Sequence, residues 1–478
     1  MRVGLGDFAP DLAEQDVVDE AGATVLKVAL NVHPDFNSYK PIAGPDTPYS
    51  DALAANPRGL WYVQKQAGTY DILGGTQSTL QKMTAAVWAS AGTGFSVPDD
   101  ENWSGTQVGT KFYATNYTDG PQVYDVEAGG SFAALAGSPP TGRVIEVVND
   151  HLMLGSTSTS AFGVSWSDTN DYTDWSSGNS SSQIFPDTGR VQAICGAASR
   201  IITERAIWQI TFQPGASVVF TFDKIEQAKG TISPSSVVKV GNTFGYLAED
   251  GFWFNGEAIG EGRVNDYFLN RIDRSRLFSV LGALDPIRPI IFWLARTSSS
   301  DTYDTGLMYN WQIKRWAELD YDILFMAAAA TPGLTLEELA VLYPNLETVP
   351  YSLDSRVWQG GRPVPAIIDT AKKLAFFEGD NLEATIETGE RNFFPGKLAW
   401  FDSVAPIVDT SAAVVALGGR QRQADSRTWT SEASMMASGL CKPRARTKLA
   451  RIRVRIPAAT TWTDIQGFDV MARPVGWR

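Results

Sequence analysis

Short apolar segments separated by glycine and aspartate turns constrain the fold of this chain more than any other feature. The clearest example spans residues 241–256, where apolar residues lie on both sides of the sequence Glu-Asp-Gly at 249–251. Asp-Gly between two apolar runs is a strong hairpin signal, because glycine adopts positive φ angles without steric cost. Gly256 then marks a turn at which a further strand can begin. The segment therefore predicts one hairpin of a propeller-like or barrel-like β protein.

Similar units recur from about residue 59 onward, each made of short apolar strands joined by polar or glycine turns. They lie at 60–64 and 71–76, 111–116 and 122–125, 144–148 and 151–155, 200–203 and 206–212, 289–294, 307–311 and 315–319, and 374–379. This pattern is typical of propeller blades, although its spacing is too irregular for a regular repeat family. Helical patterns are few, and 337–342 after Thr335 is the clearest short helix. We predict a mainly β protein with an irregular β-propeller.

The two ends of the chain differ from its centre. Prolines break residues 1–50 into an irregular, extended arm with turns; they are Pro10, Pro34, Pro41, Pro45 and Pro48. After residue 380, apolar and polar residues alternate at 382–387 and 450–456, which predicts half-buried antiparallel strands of a sandwich-like or barrel-like platform. We therefore predict an N-terminal arm at 1–50 that packs on the platform, a β-propeller-like domain at 51–380 and the platform domain at 381–478.

Several classes of functional site are excluded by the sequence. The cysteines Cys195 and Cys441 lie far apart and the histidines are only two, so neither a disulfide framework nor a His-rich metal centre is available. No phosphate-binding glycine loop followed by Lys-Ser/Thr and no nucleophile elbow is present. Acidic residues at 19–20, 99–101 and 249–250 lack the spacing of a calcium loop and indicate solvated turns. We predict no catalytic residue, no metal site and no cofactor.

The start of the chain lacks the apolar core of a signal peptide, and no apolar run has the length of a membrane-spanning helix. These features predict a protein made in the cytoplasm without a membrane-spanning segment. Of the 478 residues 19% are charged, which argues against disordered charge blocks. The 53 aromatic residues could stack on single-stranded nucleic acid, but core packing is the favoured interpretation in a β protein of this size.

The net charge of −13 is unevenly distributed along the chain. Residues 420–478 hold twelve Lys and Arg against four Asp and Glu, a net charge of +8, which leaves −21 on the preceding residues. A basic tail on an acidic body can be a nucleic-acid arm or a docking face. The acidic body repels DNA, which suits a protein past which DNA moves without binding.

The basic tail contains a strand on which arginines alternate with apolar residues. Strict alternation places Arg451, Arg453 and Arg455 on one face of this strand, and Arg444 and Arg446 precede it. The five arginines are a candidate interface with another subunit or an adaptor protein. The same spacing suits contacts with DNA phosphates, and an inter-subunit or sheet-face ion-pair network with the acidic body is the third and favoured interpretation.

A second candidate site lies in an aspartate-rich and tryptophan-rich segment. Its residues are Trp166, Asp168, Asp171, Asp174 and Trp175. Paired carboxylates can act as acid and base in glycoside hydrolysis, and tryptophan rings stack on sugars, so the segment could belong to a carbohydrate-binding or polysaccharide-degrading propeller. The alternative is a turn in which the aspartates accept hydrogen bonds from their own backbone, and this interpretation is favoured.

A series of short motifs, taken in order, resembles one protein family. The motifs lie at 31–34 (Asn-Val-His-Pro), 39–41, 73–80 (Leu-Gly-Gly-Thr-Gln-Ser-Thr-Leu), 112–116, 164–168, 171–175, 230–237 (Gly-Thr-Ile-Ser-Pro-Ser-Ser-Val), 241–256, 259–264, 285–288, 307–311, 315–316, 352–356 and 382–390. In this order they resemble the tail nozzle or hub proteins of short-tailed phages, which are also described as packaged-DNA stabilization proteins. The resemblance covers most of the chain and is weakest over the last 90 residues or so.

The resemblance implies a structural virion protein and no enzyme, with a β-propeller in each subunit of a ring, expected to be a hexamer. Such a ring lies in the virion tail below the portal and adaptor, is assembled in the host cytoplasm, and extends the channel through which double-stranded DNA passes without sequence-specific binding. It helps to retain the packaged genome and anchors a tail spike, fibre or needle protein. The two rivals are the carbohydrate-active phage-tail propeller and a DNA-binding protein with a basic tail. If the arginine face docks on a neighbour, Arg453→Glu weakens ring assembly and leaves the fold intact.

Overall fold

The computed structural model describes residues 1–12, 15–19, 22–84, 86–297, 301–330, 340, 344–345, 347 and 363–476. Within these ranges the chain is mainly β, and its complete helical segments are α1 (Asn265–Arg271) and two 3₁₀ helices, Pro234–Ser236 and Arg274–Ser279; the isolated described residues 340 and 347 are also helical. The helix predicted at 337–342 falls on residues of which only 340 is described, and the motif at 352–356 lies outside the described residues.

Four strands lie in the N-terminal segment, and six antiparallel blades of four strands follow; five blades are separate sheets, and the sixth is continuous with the terminal strands. The N-terminal strands are β1 (Arg2–Phe8), β2 (Thr24–Leu30), β3 (Val32–Pro34) and β4 (Tyr39–Pro41). The first three blades contain β5 (Pro57–Gln64), β6 (Tyr70–Thr76), β7 (Thr79–Thr84) and β8 (Val87–Thr93); β9 (Ser104–Val108), β10 (Lys111–Thr115), β11 (Gln122–Asp125) and β12 (Ala133–Ala134); β13 (Gly142–Val148), β14 (His151–Thr157), β15 (Gly163–Trp166) and β16 (Ser181–Ile184). The next three contain β17 (Val191–Cys195), β18 (Arg200–Thr203), β19 (Ala206–Phe212) and β20 (Phe220–Gln227); β21 (Val238–Val240), β22 (Thr243–Ala248), β23 (Gly251–Phe254) and β24 (Glu257–Ala258); β25 (Leu281–Leu284), β26 (Ile290–Ala295), β27 (Thr305–Asn310) and β28 (Arg315–Leu319).

These sheets form a six-blade propeller arrangement in which the first strand of each blade lies nearest the axis. A three-stranded sheet, β29 (Phe325–Ala329), β30 (Val364–Ile368) and β31 (Leu374–Phe376), occupies the gap between the sixth and first blades. Its strand β29 contacts both β25 and β5, which closes the ring. The prediction of a mainly β protein that contains a propeller is therefore confirmed.

The hairpin predicted at 241–256 forms the centre of the fifth blade. Strands β22 and β23 pair with Ala248 opposite Gly251, whose φ is +128°. Asn255 and Gly256 both have positive φ and connect β23 to β24, as a two-residue hairpin loop with the right-handed twist of the strands requires. A side chain at Gly251 would meet the amide of Asn265 at 1.8 Å, so glycine is needed there for space as well as for conformation.

The two ends of the chain meet in a second system of sheets. Its C-terminal strands are β32 (Ala384–Thr388), β33 (Leu398–Val408), β34 (Val414–Arg420), β35 (Thr428–Trp429), β36 (Ala433–Ser434), β37 (Ala445–Thr447), β38 (Leu449–Ile456) and β39 (Ile465–Val475). The strands follow the order β37-β33-β39-β1-β2-β32-β38-β34, so that β1 lies between β39 and β2. Strand β2 also pairs with β28 of the sixth blade at Leu30 and Glu318. The domain boundaries near residues 50 and 380 remain predictions.

The N-terminal segment differs from the extended arm expected from its prolines. Strands β1 and β2 lie in the middle of the terminal sheets, with Val3, Leu5 and Phe8 buried. Four of the five prolines in this segment fall at or beyond residue 34, and therefore do not interrupt the ladders of β1 and β2. At the start of β1 the buried residues Val3 and Leu5 alternate with the less buried Arg2 and Gly4. This two-residue period is typical of a strand, and the prolines obscured it.

Aromatic side chains form much of the apolar core, as the sequence predicts. Phe252, Trp293 and Trp316 lie with their rings 4.8–5.8 Å apart between the fifth and sixth blades. Their polar atoms are also satisfied, since Trp293 donates to the carbonyl of Ser236 and Trp316 to that of Ile259. Cys195 and Cys441 are buried free thiols, and burial raises the pKa of each to about 11. In the described part of the chain no helix combines the length and apolarity that a membrane span needs.

Candidate functional site

The basic strand predicted from the sequence is β38, and its arginines lie on one face of the terminal sheets. Arg451 donates to Glu387 Oε1 at 2.9 Å, and Arg453 donates to Glu387 Oε2 at 2.8 and 3.0 Å. Glu387 lies on the neighbouring strand β32, directly opposite Arg453. The guanidinium group of Arg453 also lies 3.7 Å from the ring centroid of Trp429. The structure thus agrees with the favoured interpretation, a sheet-face ion-pair network, and forms that network within one chain.

The other three arginines of the candidate interface are closer to solvent. Arg455 donates to Glu383 at 3.0 Å and to Glu432 at 2.9 Å. Arg444 and Arg446 are exposed, and Arg446 on β37 donates to the carbonyl of Gly476. Arg444 and Arg446 are the exposed members of the predicted set, so their guanidinium groups can be reached by a partner.

The aspartates of the candidate sugar site lie in the loop between β15 and β16. Asp168 accepts a hydrogen bond at 2.7 Å from the backbone N–H of Asn179. Gly178, with φ of +63°, packs against this carboxylate, and a Cβ there would lie 2.4 Å from it. The Trp166 ring is buried against Phe220 and its N–H donates to the carbonyl of Asn179. This ring has no exposed face on which a sugar could stack.

Asp171 and Asp174 close two short turns in the same loop. Asp171 accepts from the backbone and hydroxyl of Thr173, and Asp174 accepts from Ser177 in the same way. These hydrogen bonds hold the pKa of both carboxyl groups below the usual value of 3.8. A glycosidase acid needs a raised pKa, so these carboxylates are poorly suited to that role. Trp175 caps the loop by donating to the carbonyl of Tyr172.

The axis of the propeller is crossed by polar side chains at the propeller mouth, the end at which the first strands begin. Asn102, before β9 of the second blade, donates at 2.9 Å to Ser235, before β21 of the fifth blade. Lys239 of the fifth blade pairs with Glu146 of the third. Blades two and five, or three and five, are not neighbours, so these contacts span the axis. A small cavity of about 160 Å³ lies beside them.

A much larger cleft of about 1130 Å³ lies between the terminal sheets and the sixth blade. Asp7 on β1 forms ion pairs across it with Arg263 at 2.6 Å and with Arg315 at 3.0 Å. Arg315 is further fixed because it donates to the carbonyls of Gly6 and Asp35. Beside these charges Phe36, between β3 and β4, is 74% exposed. The cleft therefore offers charged walls and two exposed apolar side chains, Phe36 and the smaller Val18.

The described residues contain no group of three or more His, Cys, Asp or Glu side chains arranged to hold a metal ion. The acidic residues Glu101 and Asp250 instead have partners within the protein. Glu101 forms a largely buried ion pair with Arg143 of the third blade, 42 residues away. Asp250 accepts from the indole of Trp253, three residues further on, as expected for a turn.

No protein-family model matches this chain, and no curated protein sequence matches it. Solved structures similar to it include the computationally designed Ika8 protein, at 9% identity over 74% of this chain and 99% of that chain, with a TM-score of 0.34. YCF48 bound to D1 peptide has 12% identity over 60% and 91% of the two chains, with a TM-score of 0.31. A chain of the mitotic checkpoint complex has 10% identity over 72% and 96%, with a TM-score of 0.36. The assignment of a propeller rests on the strand pairing of this chain alone.

The residues that cross the propeller axis were not identified from the sequence. Asn102 and Ser235 lie just before the first strand of a blade, and Glu146 and Lys239 lie within one. A polar residue at the start of several first strands is the signal that could have found them. That signal becomes visible only when the first strand of each blade is known.

Proposed function

We propose that this chain is a structural subunit of a tail nozzle or hub ring of a short-tailed phage. One observation carries the proposal: the propeller is hydrogen-bonded through β28 and β2 to sheets made from both ends of the chain. The resemblance implies a propeller-bearing subunit, and the alternating C-terminal strands separately predict a platform on which the N-terminal segment packs. In this role the subunit extends the DNA channel, helps to retain the packaged genome and anchors a spike, fibre or needle protein.

The DNA path in this proposal runs through the centre of a ring of copies. The propeller axis of a single chain is a poor path, because Asn102–Ser235 and Lys239–Glu146 cross it. The net charge of −13 lowers the affinity of the ring wall for phosphates, so that DNA can pass without being held.

A ring of more than two copies closes through head-to-tail contacts. In such a contact, one surface of each copy binds a different surface of the next copy. The cleft beside Asp7 supplies a surface with both charge signs, and Phe36 at its edge supplies an apolar anchor. Exposed aromatic side chains frequently dominate the binding energy of interfaces. We therefore place one ring contact at Phe36 and the cleft, and a contact with a second partner at Arg444 and Arg446.

The mass of the purified chain across a concentration series tests this proposal. We expect a closed oligomer, with six copies as the leading stoichiometry, and weak binding of duplex DNA. Phe36→Ser should reduce the oligomer fraction without lowering the melting temperature. Phe162→Ser, which replaces another exposed phenylalanine on the third blade, is the matched control. A chain that stays monomeric and binds or cleaves polysaccharide would overturn the proposal in favour of the carbohydrate-active rival.

A further inference from the structure

Three arginines from distant parts of the sequence meet at the propeller mouth. Arg58 lies in β5 of the first blade, Arg276 lies in the 3₁₀ helix before β25, and Arg296 follows β26 of the sixth blade. All three lie close enough to Tyr303 to favour ionisation of its hydroxyl group electrostatically. We refer to Arg58, Arg276 and Arg296 as the mouth arginines.

The surroundings hold two of the mouth arginines, Arg58 and Arg296, in place without giving their Nε atoms a hydrogen-bond acceptor. The guanidinium group of Arg296 lies 4.4 Å from the centroid of Tyr303, whose hydroxyl donates to the carbonyl of Ser279 at 3.0 Å. Arg296 is only 7% exposed. The Nε atoms of Arg58 and Arg296 are buried, and no described residue accepts a hydrogen bond from either atom. The site therefore presents buried, unused N–H donors.

The charge at this site is also incompletely compensated. Among the described residues, Asp301 is the carboxylate that interacts with the cluster. It lies 3.6 Å from Arg276 and is itself 63% exposed on its side chain. Burial and the neighbouring Arg276 lower the pKa of Arg296, although Tyr303 acts in the opposite direction. No described carboxylate forms an ion pair with Arg296 or Arg58, and a buried charge without a partner is unfavourable unless a counter-ion neutralises it.

We propose that the mouth arginines form a binding site for a phosphate group. Guanidinium groups present planar pairs of N–H donors that match the oxygens of phosphate, and several arginines around one anion share its charge. The phosphate group is supplied either by free inorganic phosphate or by a nucleic-acid backbone. This inference stands on the geometry of the mouth and is independent of the proposed ring.

Calorimetric titration of the full chain in chloride buffer of constant ionic strength tests the site. One arm uses inorganic phosphate and the other a short duplex DNA. We expect Arg296→Gln and Arg58→Gln each to weaken binding by about tenfold, because each removes charged hydrogen bonds to the anion. Arg422→Gln, which replaces an exposed arginine of the terminal sheets, should bind as the wild type does. An effect in the phosphate arm assigns the free ion, and an effect in the DNA arm alone assigns the nucleic-acid backbone.

The proposal is overturned if neither ligand binds, or if the two variants bind both ligands as tightly as the wild type. Thermal unfolding of Arg296→Met supplies a second measurement that does not depend on detecting heat. Without phosphate this variant should melt at or above the wild-type temperature, because it removes an uncompensated buried cation. With phosphate the order should reverse. A variant that melts below the wild type equally in both buffers contradicts the proposal.

Discussion

Two groups of arginines in this molecule each pack on an aromatic ring, one on strand β38 and one at the propeller mouth. On β38, Arg453 lies over Trp429, and Glu387 accepts hydrogen bonds from both Arg453 and Arg451. At the mouth, Arg296 lies over Tyr303, and the described carboxylate in reach is the exposed Asp301. In both groups an arginine packs on an aromatic ring, but among the described residues only the β38 arginines have a buried carboxylate that neutralises their charge.

The difference shows how to separate a structural arginine from a binding one. Burial alone does not distinguish them, since Arg451 and Arg296 are both almost fully buried. What distinguishes them is whether the chain also supplies a buried carboxylate. Where it does, the arginine cross-links strands; where it does not, the fold carries a cost that an external anion can offset.

The largest expected effect comes from removing the carboxylate of β32. Glu387→Gln leaves Arg451 buried without its anionic partner, and should lower the unfolding free energy by about 3–5 kcal/mol. It would make this region resemble the propeller mouth. Urea denaturation measures the change, with Glu378→Gln, at an exposed glutamate, as the matched control. A loss no greater than that of the control would remove the contrast between the two groups.

An intermediate effect is expected at Glu390, a second buried carboxylate of the terminal sheets. Burial opposes its ionisation, but hydrogen bonds from Arg420 and Arg427 outweigh burial and hold its pKa below the usual value of 4.5. Its stabilising contribution is therefore complete above about pH 4.5 and is lost as the pH falls through the lower, folded-state pKa. Glu390→Gln should cost about 2 kcal/mol at neutral pH, where the carboxylate is charged.

The pH dependence separates this charge effect from a packing effect. The difference in unfolding free energy between wild type and Glu390→Gln should shrink as the pH is lowered below about 4.5. A difference that stays constant down to acid pH would mean that the variant acts by altering packing.

The smallest effect is expected where the ion pair lies at the surface. Glu432→Gln removes one of two partners of Arg455, and both side chains are partly exposed. The unfolding free energy should fall by about 0.2–1 kcal/mol, and high salt should reduce the difference further. Equal losses for Glu432→Gln and Glu387→Gln would show that burial does not set the strength of these pairs.

Features encoded by neighbouring residues could be predicted from the sequence. The hairpin at β22 and β23 follows from its turn residues, and the shared face of Arg451, Arg453 and Arg455 follows from alternation. The turn interpretation of Asp171 and Asp174 likewise follows from short-range hydrogen bonding.

Features that depend on distant residues could not be predicted. Glu387, the partner of Arg451, lies 64 residues away, and nothing in either segment specifies the other. The mouth arginines are separated by more than 200 residues between Arg58 and Arg276, and closure of the propeller ring brings them together. The prolines of residues 1–50 predicted an extended arm. The strands β1 and β2 were not predicted, because local propensity does not report the distant strands that pair with them.

The position of β1 between β2 and β39 has a consequence for the order of folding during synthesis. One edge of β1 can pair early, but its other partner is β39, which begins at Ile465. At about 5–20 residues per second, a ribosome needs roughly half a minute to a minute and a half to reach that strand. During this interval a strand edge of the nascent chain stays open to incorrect partners, which makes early protection of β1 a requirement for a high yield of native protein.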